Sequence, residues 1–167
     1  MRAIVVLVSL LGSLTFWGNW SAGRLKEASN MSQEKEAVRF VKSNTLPPSP
    51  GYSQAVEVRK GARFIYIAGQ VAMDRSGKLV GEGDFKAQTK QTFENLKAAL
   101  QASGATFNNV VKLNSYFVDM TQLPAFREVR DTYINTANPP ASTAVKVAGL
   151  FRDGFLLEVE AVAVVPE

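Results

Sequence analysis

The distribution of apolar and polar residues after Val38 predicts short strands interrupted by two helices. Residues 63–71, RFIYIAGQV, are rich in β-branched and aromatic side chains and follow Gly61, which favours a strand. We expect this strand to pair across a short turn with residues 55–58, AVEV. Three further strands are predicted at residues 110–118, 144–150 and 155–165.

The longest amphipathic stretch predicts a helix from Asp84 to about Ser103. Its apolar residues recur at helical spacing, Asp84 suits the N-cap, and Gly104 suits the stop. Because only one face is apolar, we expect this helix to pack on a sheet. A second, shorter helix is predicted from Leu123 to about Asn135.

The last predicted strand, LLEVEAVAVV, is apolar except for two carboxylates. Side chains alternate along a strand, so Glu158 and Glu160 share one face. Two explanations fit this pattern: the pair lies on an edge or a solvated face, or it belongs to a functional site.

The chain contains neither cysteine nor histidine. Their absence from the sequence excludes thiolate nucleophiles, disulfides, Ser-His-Asp triads and the His/Cys sets that bind zinc. Any chemistry therefore depends on carboxylates, tyrosines, hydroxyls, cations, the backbone or water. A length of 167 residues with 46% hydrophobic composition suits a single domain with a core of its own.

The formal net charge is +4, and residues 1–30 carry part of it through Arg2, Arg24 and Lys26 against Glu27. The rest of the chain is therefore close to neutral, and its basic residues are scattered singly. A nucleic-acid-binding surface needs clustered Lys and Arg, so we do not expect a nucleic-acid partner.

Residues 3–17, AIVVLVSLLGSLTFW, form an uncharged and mostly apolar run behind Arg2. The run resembles a secretory signal and is shorter than the roughly 20 apolar residues that span a bilayer. Three interpretations remain open: residues 1–30 direct export to the periplasm, they are a retained membrane anchor, or the chain starts at Met31 and stays in the cytoplasm. In each case residues 31–167 form the functional domain.

Six segments of the chain, taken in order, resemble the Rid (reactive intermediate deaminase) family. They are PGYSQAV, IYIAGQV, QTKQTFENLKAAL, NNVVKLNSYFVDM, NPPASTAVKVAGL and LLEVEAVAVV. The resemblance implies an α+β fold in which a mixed sheet of about six strands packs on two helices, similar to chorismate mutase of the bacterial barrel type. It also implies a homotrimer that binds small-molecule ligands in clefts between subunits.

Many members of that family hydrolyse enamines and imines that pyridoxal-phosphate enzymes form from amino acids. The products are a 2-oxo acid and ammonia, and the reaction needs no metal or organic cofactor. The resemblance therefore implies a cofactor-independent deaminase. The alternative is a homologue without catalytic activity that binds a small molecule in the same clefts.

The resemblance also shows where this chain departs from the family. An arginine in the family's PAR segment grips the substrate carboxylate through two parallel hydrogen bonds, and the corresponding residue here is Ser142. Serine lacks the charge and most of the reach. We expect binding of a 2-imino acid to lose at least the roughly 1.5–3 kcal/mol of a charged hydrogen bond.

Other family positions are retained. Tyr52 matches a tyrosine of the substrate cleft, Gly69 matches a glycine whose backbone lies against the ligand, and Glu158 matches the glutamate that orients the hydrolytic water. Arg130 raises a further hypothesis, because its cation could replace the one that Ser142 lacks if it projects into the cleft. The alternative places Arg130 on the solvated face of the second helix.

Overall fold

The computed structural model describes residues 37–41, 45–46 and 49–167, which belong to a compact unit spanning Ala37–Glu167. Its strands and helices, in chain order, are β1 (Val38–Val41), β2 (Ala55–Val58), β3 (Ala62–Gln70), α1 (Phe85–Ala102), β4 (Val110–Phe117), α2 (Leu123–Arg130), β5 (Ala141–Lys146) and β6 (Leu157–Pro166). Neither α1 nor α2 has the length and apolar character to cross a membrane. The predicted signal or anchor at residues 3–17, and the boundary at Met31, lie outside the described residues.

Four strands form one mixed sheet in the order β3-β6-β4-β5. The first two contacts are antiparallel, and β5 runs parallel to β4. This confirms the α+β class and the mixed sheet packed on two helices, although the sheet has four strands in the described part of the chain rather than about six. Strands β1 and β2 form a separate antiparallel ribbon, and a single bridge between Ser53 and Ala141 links the chain before β2 to the edge of the sheet.

The expected pairing of residues 55–58 with residues 63–71 is wrong. Strand β2 pairs with β1, whereas β3 pairs with β6. The alternation of buried and exposed residues in β3 explains why this strand pairs with β6. Ile65 and Ile67 are buried and lie opposite Ala163 and Ala161 of β6. A nine-residue strand gains more apolar contact from the ten-residue β6 than from the four-residue β2.

Helix α1 begins and ends where its sequence predicts. The Asp84 side chain accepts a hydrogen bond from the Ala87 N–H at 3.0 Å. Gly104 adopts a φ of 69°, a left-handed conformation in which glycine avoids a steric penalty. The predicted end of the second helix at Asn135 is wrong, since α2 stops at Arg130 and the chain continues as turns.

Strand β5 begins three residues earlier than predicted and also ends earlier. Its ladder with β4 runs as far as the pair Phe117 and Lys146, which is where β4 itself ends. Without a partner strand beyond Phe117, the predicted continuation of β5 to Leu150 has no backbone to pair with. The earlier start places Ser142 within the strand.

The sheet has one covered face and one open face. On the covered face, side chains of both helices pack against side chains of the sheet, and the two sets are almost fully buried. The helices contribute Phe93, Leu96, Leu100 and Phe126, and the sheet contributes Leu113, Phe117 and Leu157. Burying each such side chain contributes about 1.5–3 kcal/mol. The open face carries the other set of alternating residues, among which Phe64 stacks on Tyr66 and Tyr66 is 79% exposed.

Candidate functional site

The two carboxylates of β6 lie on the open face of the sheet. Strand β6 is flanked by β3 and β4, so the edge-strand explanation of Glu158 and Glu160 does not hold. Their neighbours across the ladder in β4 are Tyr116, opposite Glu158, and Asn114, opposite Glu160. Both glutamates are partly buried, and the strand alternation directs both away from the helices.

Glu160 is held by two hydrogen bonds from β4. Its Oε1 accepts from Asn114 Nδ2 at 2.6 Å and from the Tyr116 hydroxyl at 3.1 Å. The bond to Glu160 and partial burial raise the pKa of Tyr116, so the phenol keeps its proton and remains a donor. Asn114 and Tyr116 were not predicted as site residues, although their two-residue spacing in β4 places them on one face.

Glu158 has a different environment. Its carboxylate accepts no hydrogen bond from any residue that the structure describes. Burial, and secondarily the charge of Glu160, raise the pKa of Glu158 above that of an ordinary glutamate. A carboxyl group with a raised pKa and no fixed partner is suited to accept and return a proton.

Gly69 lies directly against Glu158. It sits in a bulge of β3, where the register with β6 shifts between Ile67 and Gln70. A Cβ atom built on Gly69 would overlap the Oε1 atom of Glu158, so only glycine leaves room for the carboxylate in this position. The predicted contact of the Gly69 backbone with a ligand stays a prediction.

Tyr52 and Ser142 lie near each other at the opposite edge of the sheet. The Ser53 hydroxyl donates to the Pro139 carbonyl at 2.6 Å, and the Ser53 N–H donates to the Pro140 carbonyl at 3.2 Å. Next along the chain, Ala141 forms the β-bridge with Ser53. Tyr52 precedes one end of this bridge and Ser142 follows the other, and both side chains are partly exposed.

Arg130 is buried, so its placement on a solvated helix face is wrong. Its exposed fraction is 4%, and its guanidinium lies 5.9 Å from the Phe126 ring centroid. The guanidinium pairs with Asp131 through Nε at 2.8 Å and Nη2 at 2.7 Å. Nη2 also lies against Gly51, where an added Cβ would approach to 2.8 Å, so Arg130 packs beneath the loop that carries Tyr52.

Within one chain the two groups of site residues do not meet. Ser142 pairs with Leu113, whose side chain points to the helices, whereas Glu158 pairs with Tyr116 on the open face. Leu113 and Tyr116 are three positions apart, or about 10 Å along β4. Tyr52, Arg130 and Ser142 therefore form one half-site, which we call the edge half-site. Gly69 and Glu158 form the other, the open-face half-site.

Two amide side chains of α1 hold the loops around the open-face half-site, and neither was predicted. Asn95 Nδ2 donates to the carbonyls of Val71 at 2.9 Å and Met73 at 2.8 Å, just beyond the bulge. Gln88 is fully buried and donates to the carbonyls of Gly81 and Gly154. The only available sequence signal was that Gln88 interrupts the apolar stripe of the helix.

The described residues contain no group of three or more Asp or Glu side chains arranged to hold a metal ion. A shallow cavity of about 360 Å³ lies on the open face, and its lining includes Tyr66, Ala68, Lys112, Asn114 and Glu160. Two polar residues of this lining, Asn114 and Glu160, are hydrogen-bonded to each other. The cavity thus adjoins the open-face half-site.

Comparison with known proteins gives consistent matches along this unit. A family profile described as Endoribonuclease L-PSP matches residues 42–165. The chain is 40% identical over 130 residues to a RutC family protein of Pyrococcus horikoshii, covering 77% of this chain and 97% of that protein. It is also 40% identical over 129 residues to the mouse 2-iminobutanoate/2-iminopropanoate deaminase, covering 76% of this chain and 92% of the enzyme.

Among solved structures, YyfB from Yersinia pestis, described as a protein of unknown function of the conserved Rid protein family, superposes with a TM-score of 0.72. The two sequences are 37% identical, and the match covers 77% of this chain and 99% of YyfB.

Proposed function

This chain belongs to the Rid family of imine deaminases, and on that premise we propose that it hydrolyses reactive enamines and imines to 2-oxo acids and ammonia. The observation that carries the proposal is the carboxyl group of Glu158, which lies against Gly69 with a raised pKa and accepts no hydrogen bond from the described residues. No cofactor is needed for this chemistry, since water is the only co-substrate.

The reaction moves both protons of a water molecule. The Glu158 carboxylate takes one proton from water as the water oxygen bonds to the carbon of the protonated imine, which produces a neutral carbinolamine, and the same carboxyl group returns this proton to the amine nitrogen. The C–N bond then breaks as the C=O bond forms, ammonia leaves, and the hydroxyl proton passes to the Glu158 carboxylate, which releases it to solvent. An enamine first accepts a proton on carbon and becomes the imine. General acid–base help of this kind typically contributes about 10²- to 10⁴-fold.

We propose that the complete site forms between copies of the chain, in a homotrimer. The edge half-site and the open-face half-site lie on opposite sides of one sheet, so neither can contact the ligand of the other within a single chain. The open face also exposes Phe64, Tyr66 and Val145, which another copy would cover. The ligand would then lie between Ser142 of one copy and Glu158 of the next.

The substrate specificity differs from that of members with an arginine at position 142. Ser142 offers only a hydroxyl to a substrate carboxylate. We propose that Arg130, buried next to the loop of Tyr52, supplies part of the missing positive charge. The ion pair of Arg130 with Asp131 reduces that charge. Substrates whose binding depends less on a contact with their carboxylate are therefore favoured.

One observation favours a second candidate, a homologue that binds a small molecule without turning it over. Ser142 cannot form the two parallel hydrogen bonds of an arginine with a substrate carboxylate. The buried cation that we identify near it among the described residues, Arg130, is already paired with Asp131. In this alternative the clefts between subunits persist and hold a ligand other than a 2-imino acid.

Cellular location and other partners are proposed from the sequence alone. We propose export to the periplasm directed by residues 1–30, with a cytoplasmic protein starting at Met31 as the alternative. Membrane attachment is expected only if residues 3–17 are retained as an anchor. The near-neutral charge after residue 30 supports a small-molecule ligand over a nucleic acid.

The deciding experiment measures ammonia release by the purified full chain from imines formed in place by an amino-acid oxidase with catalase present. The panel spans amino acids with acidic, neutral and basic side chains, and the Glu158→Gln variant is the control for each. Acceleration above the spontaneous rate that is lost in Glu158→Gln supports the deaminase and defines its substrate class. No acceleration with any amino acid rejects the deaminase in favour of the binding protein.

A further inference from the structure

Glu158 and Glu160 are chemically identical and share one face of β6, yet their surroundings differ. Glu160 accepts hydrogen bonds from Asn114 Nδ2 at 2.6 Å and from the Tyr116 hydroxyl at 3.1 Å. Tyr116 is the residue directly opposite Glu158 in the ladder, but its hydroxyl donates to Glu160 instead. Glu158 receives no donor from the described part of the chain.

Hydrogen bonds donated to a carboxylate favour its charged form. The two donors hold the Glu160 carboxyl group in a fixed position. Glu158 has no such donor among the described residues, and burial, and secondarily the charge of Glu160, raise the pKa of Glu158. The arrangement distinguishes one carboxyl group held by two donors from one that accepts no hydrogen bond from the described residues.

The other titratable groups on this face do not alter the difference between the surroundings of Glu158 and Glu160. Strand β3 contributes Tyr66, and β4 contributes Lys112 and Tyr116. Lys112 Nζ donates to Thr143 Oγ1 at 2.6 Å, and no ion pair joins it to either glutamate among the described residues. Both helices pack on the opposite face of the sheet.

We propose that Glu160 is a positioning residue for the reaction: held beside Glu158 by hydrogen bonds from Asn114 and Tyr116, its carboxyl group favours transfer of a proton from water to the Glu158 carboxylate. In this proposal Glu160 acts on the reaction through Glu158. This inference rests on the proposed role of Glu158 and adds the mechanism by which that carboxyl group is made a proton carrier. It assigns a role to three residues, Asn114, Tyr116 and Glu160, that the family resemblance left without one.

The test follows the proton directly, without depending on catalysis. Carboxyl ¹³C NMR of the full chain, labelled at glutamate, gives the titration of each side chain, and Glu158→Gln and Glu160→Gln assign the two signals. In the wild-type protein Glu158 should titrate above the ordinary glutamate value of 4.5. In Glu160→Gln the titration of Glu158 should move to lower pH.

Two further variants sharpen the result. Tyr116→Phe removes one donor to Glu160 but keeps the Glu160 carboxyl group, so it should move the titration of Glu158 less than Glu160→Gln does. Glu82→Gln removes the same charge from an exposed loop residue and is the matched control, so its effect on Glu158 should be smaller than that of Glu160→Gln. Far-UV circular dichroism confirms that each variant is folded.

Activity supplies the second readout. If the protein is a deaminase, the limb of the pH–rate profile governed by Glu158 should shift to lower pH in Glu160→Gln, in parallel with the NMR titration. A Glu158 that titrates at the same pH in the wild-type and Glu160→Gln proteins overturns the inference, whatever the activity. If the wild-type protein is inactive but Glu158 titrates as predicted in each variant, the proposed deaminase function is rejected. The inferred effect of Glu160 on Glu158 is then retained.

Discussion

The carboxylate of Glu158 occupies the space in which a side chain on residue 69 would lie. Gly69 belongs to a β-bulge, and any Cβ atom there would overlap Glu158 Oε1. The bulge and the glycine together fix how closely β3 approaches the carboxyl group that we propose as the proton carrier. This relationship and the edge half-site lead to five predictions.

Gly69→Ala should reduce deaminase activity about 100-fold, because the new methyl group must displace the Glu158 carboxylate by roughly 1 Å. The matched control is Gly149→Ala, since a Cβ at Gly149 has no neighbour within 4 Å and the residue does not have a positive φ. Steady-state ammonia release and thermal unfolding compare the two. Equal activities in the two variants would show that the position of Glu158 is unimportant.

Glu158→Gln should make stability less dependent on pH. The folded-state pKa of Glu158 is raised, so the folded protein holds this proton more tightly than the unfolded chain. The wild-type protein therefore loses stability as the pH rises from the ordinary glutamate value of 4.5 through the raised pKa. Urea unfolding across this range should show the loss in wild type and a smaller one in Glu158→Gln; parallel curves would contradict the raised pKa.

Ser142→Arg should increase activity on 2-imino acids. A charged hydrogen bond to the substrate carboxylate contributes roughly 1.5–3 kcal/mol, which corresponds to a gain of about 10- to 150-fold in kcat/KM. Ser142→Gln is the control for side-chain length without charge and should give no comparable gain. If Ser142→Arg fails to exceed Ser142→Gln, the rest of the edge half-site no longer accepts a 2-imino acid.

Arg130→Met should reduce activity on carboxylate-bearing imines by about tenfold, the effect of losing one charged hydrogen bond. Activity on an imine without a carboxylate should be unchanged. We expect a stability cost of about 1–2 kcal/mol, below that for a fully buried pair, because the Asp131 side chain is 42% exposed. Lys90→Met, on the surface of α1, controls for the lost charge, and equal kinetics in the two variants would exclude Arg130 from carboxylate binding.

Tyr66→Lys should dissociate the proposed trimer. Tyr66 is 79% exposed on the open face and stacks on Phe64, so a lysine there places a desolvated charge in the proposed interface. Sedimentation equilibrium gives the oligomeric state of both proteins, and Lys78→Ala on an exposed turn is the control. A wild-type monomer, or a Tyr66→Lys trimer, would mean that this face is not the contact between copies. Dissociation should also abolish ammonia release, because the two half-sites would separate.

Local signals in the sequence predicted much of the fold. The cap at Asp84, the stop at Gly104 and the strands of β3, β4 and β6 agree with the structure to within one or two residues. These features depend on side-chain spacing and on backbone preferences of neighbouring residues, which the sequence displays directly. The family resemblance also placed Ser142 at the position of the family's arginine, and this correspondence stays a prediction.

Tertiary structure decided the features that depend on residues far apart in the chain. The pairing of β3 with β6, the burial of Arg130 beneath Gly51, and the separation of Ser142 from Glu158 onto opposite faces all fall in this class. So does the choice of Glu160 over Glu158 as the acceptor from Tyr116. Each of these features is one of several possible long-range contacts. The pattern of apolar and polar residues is compatible with all of these contacts, so the pattern alone does not determine which one forms.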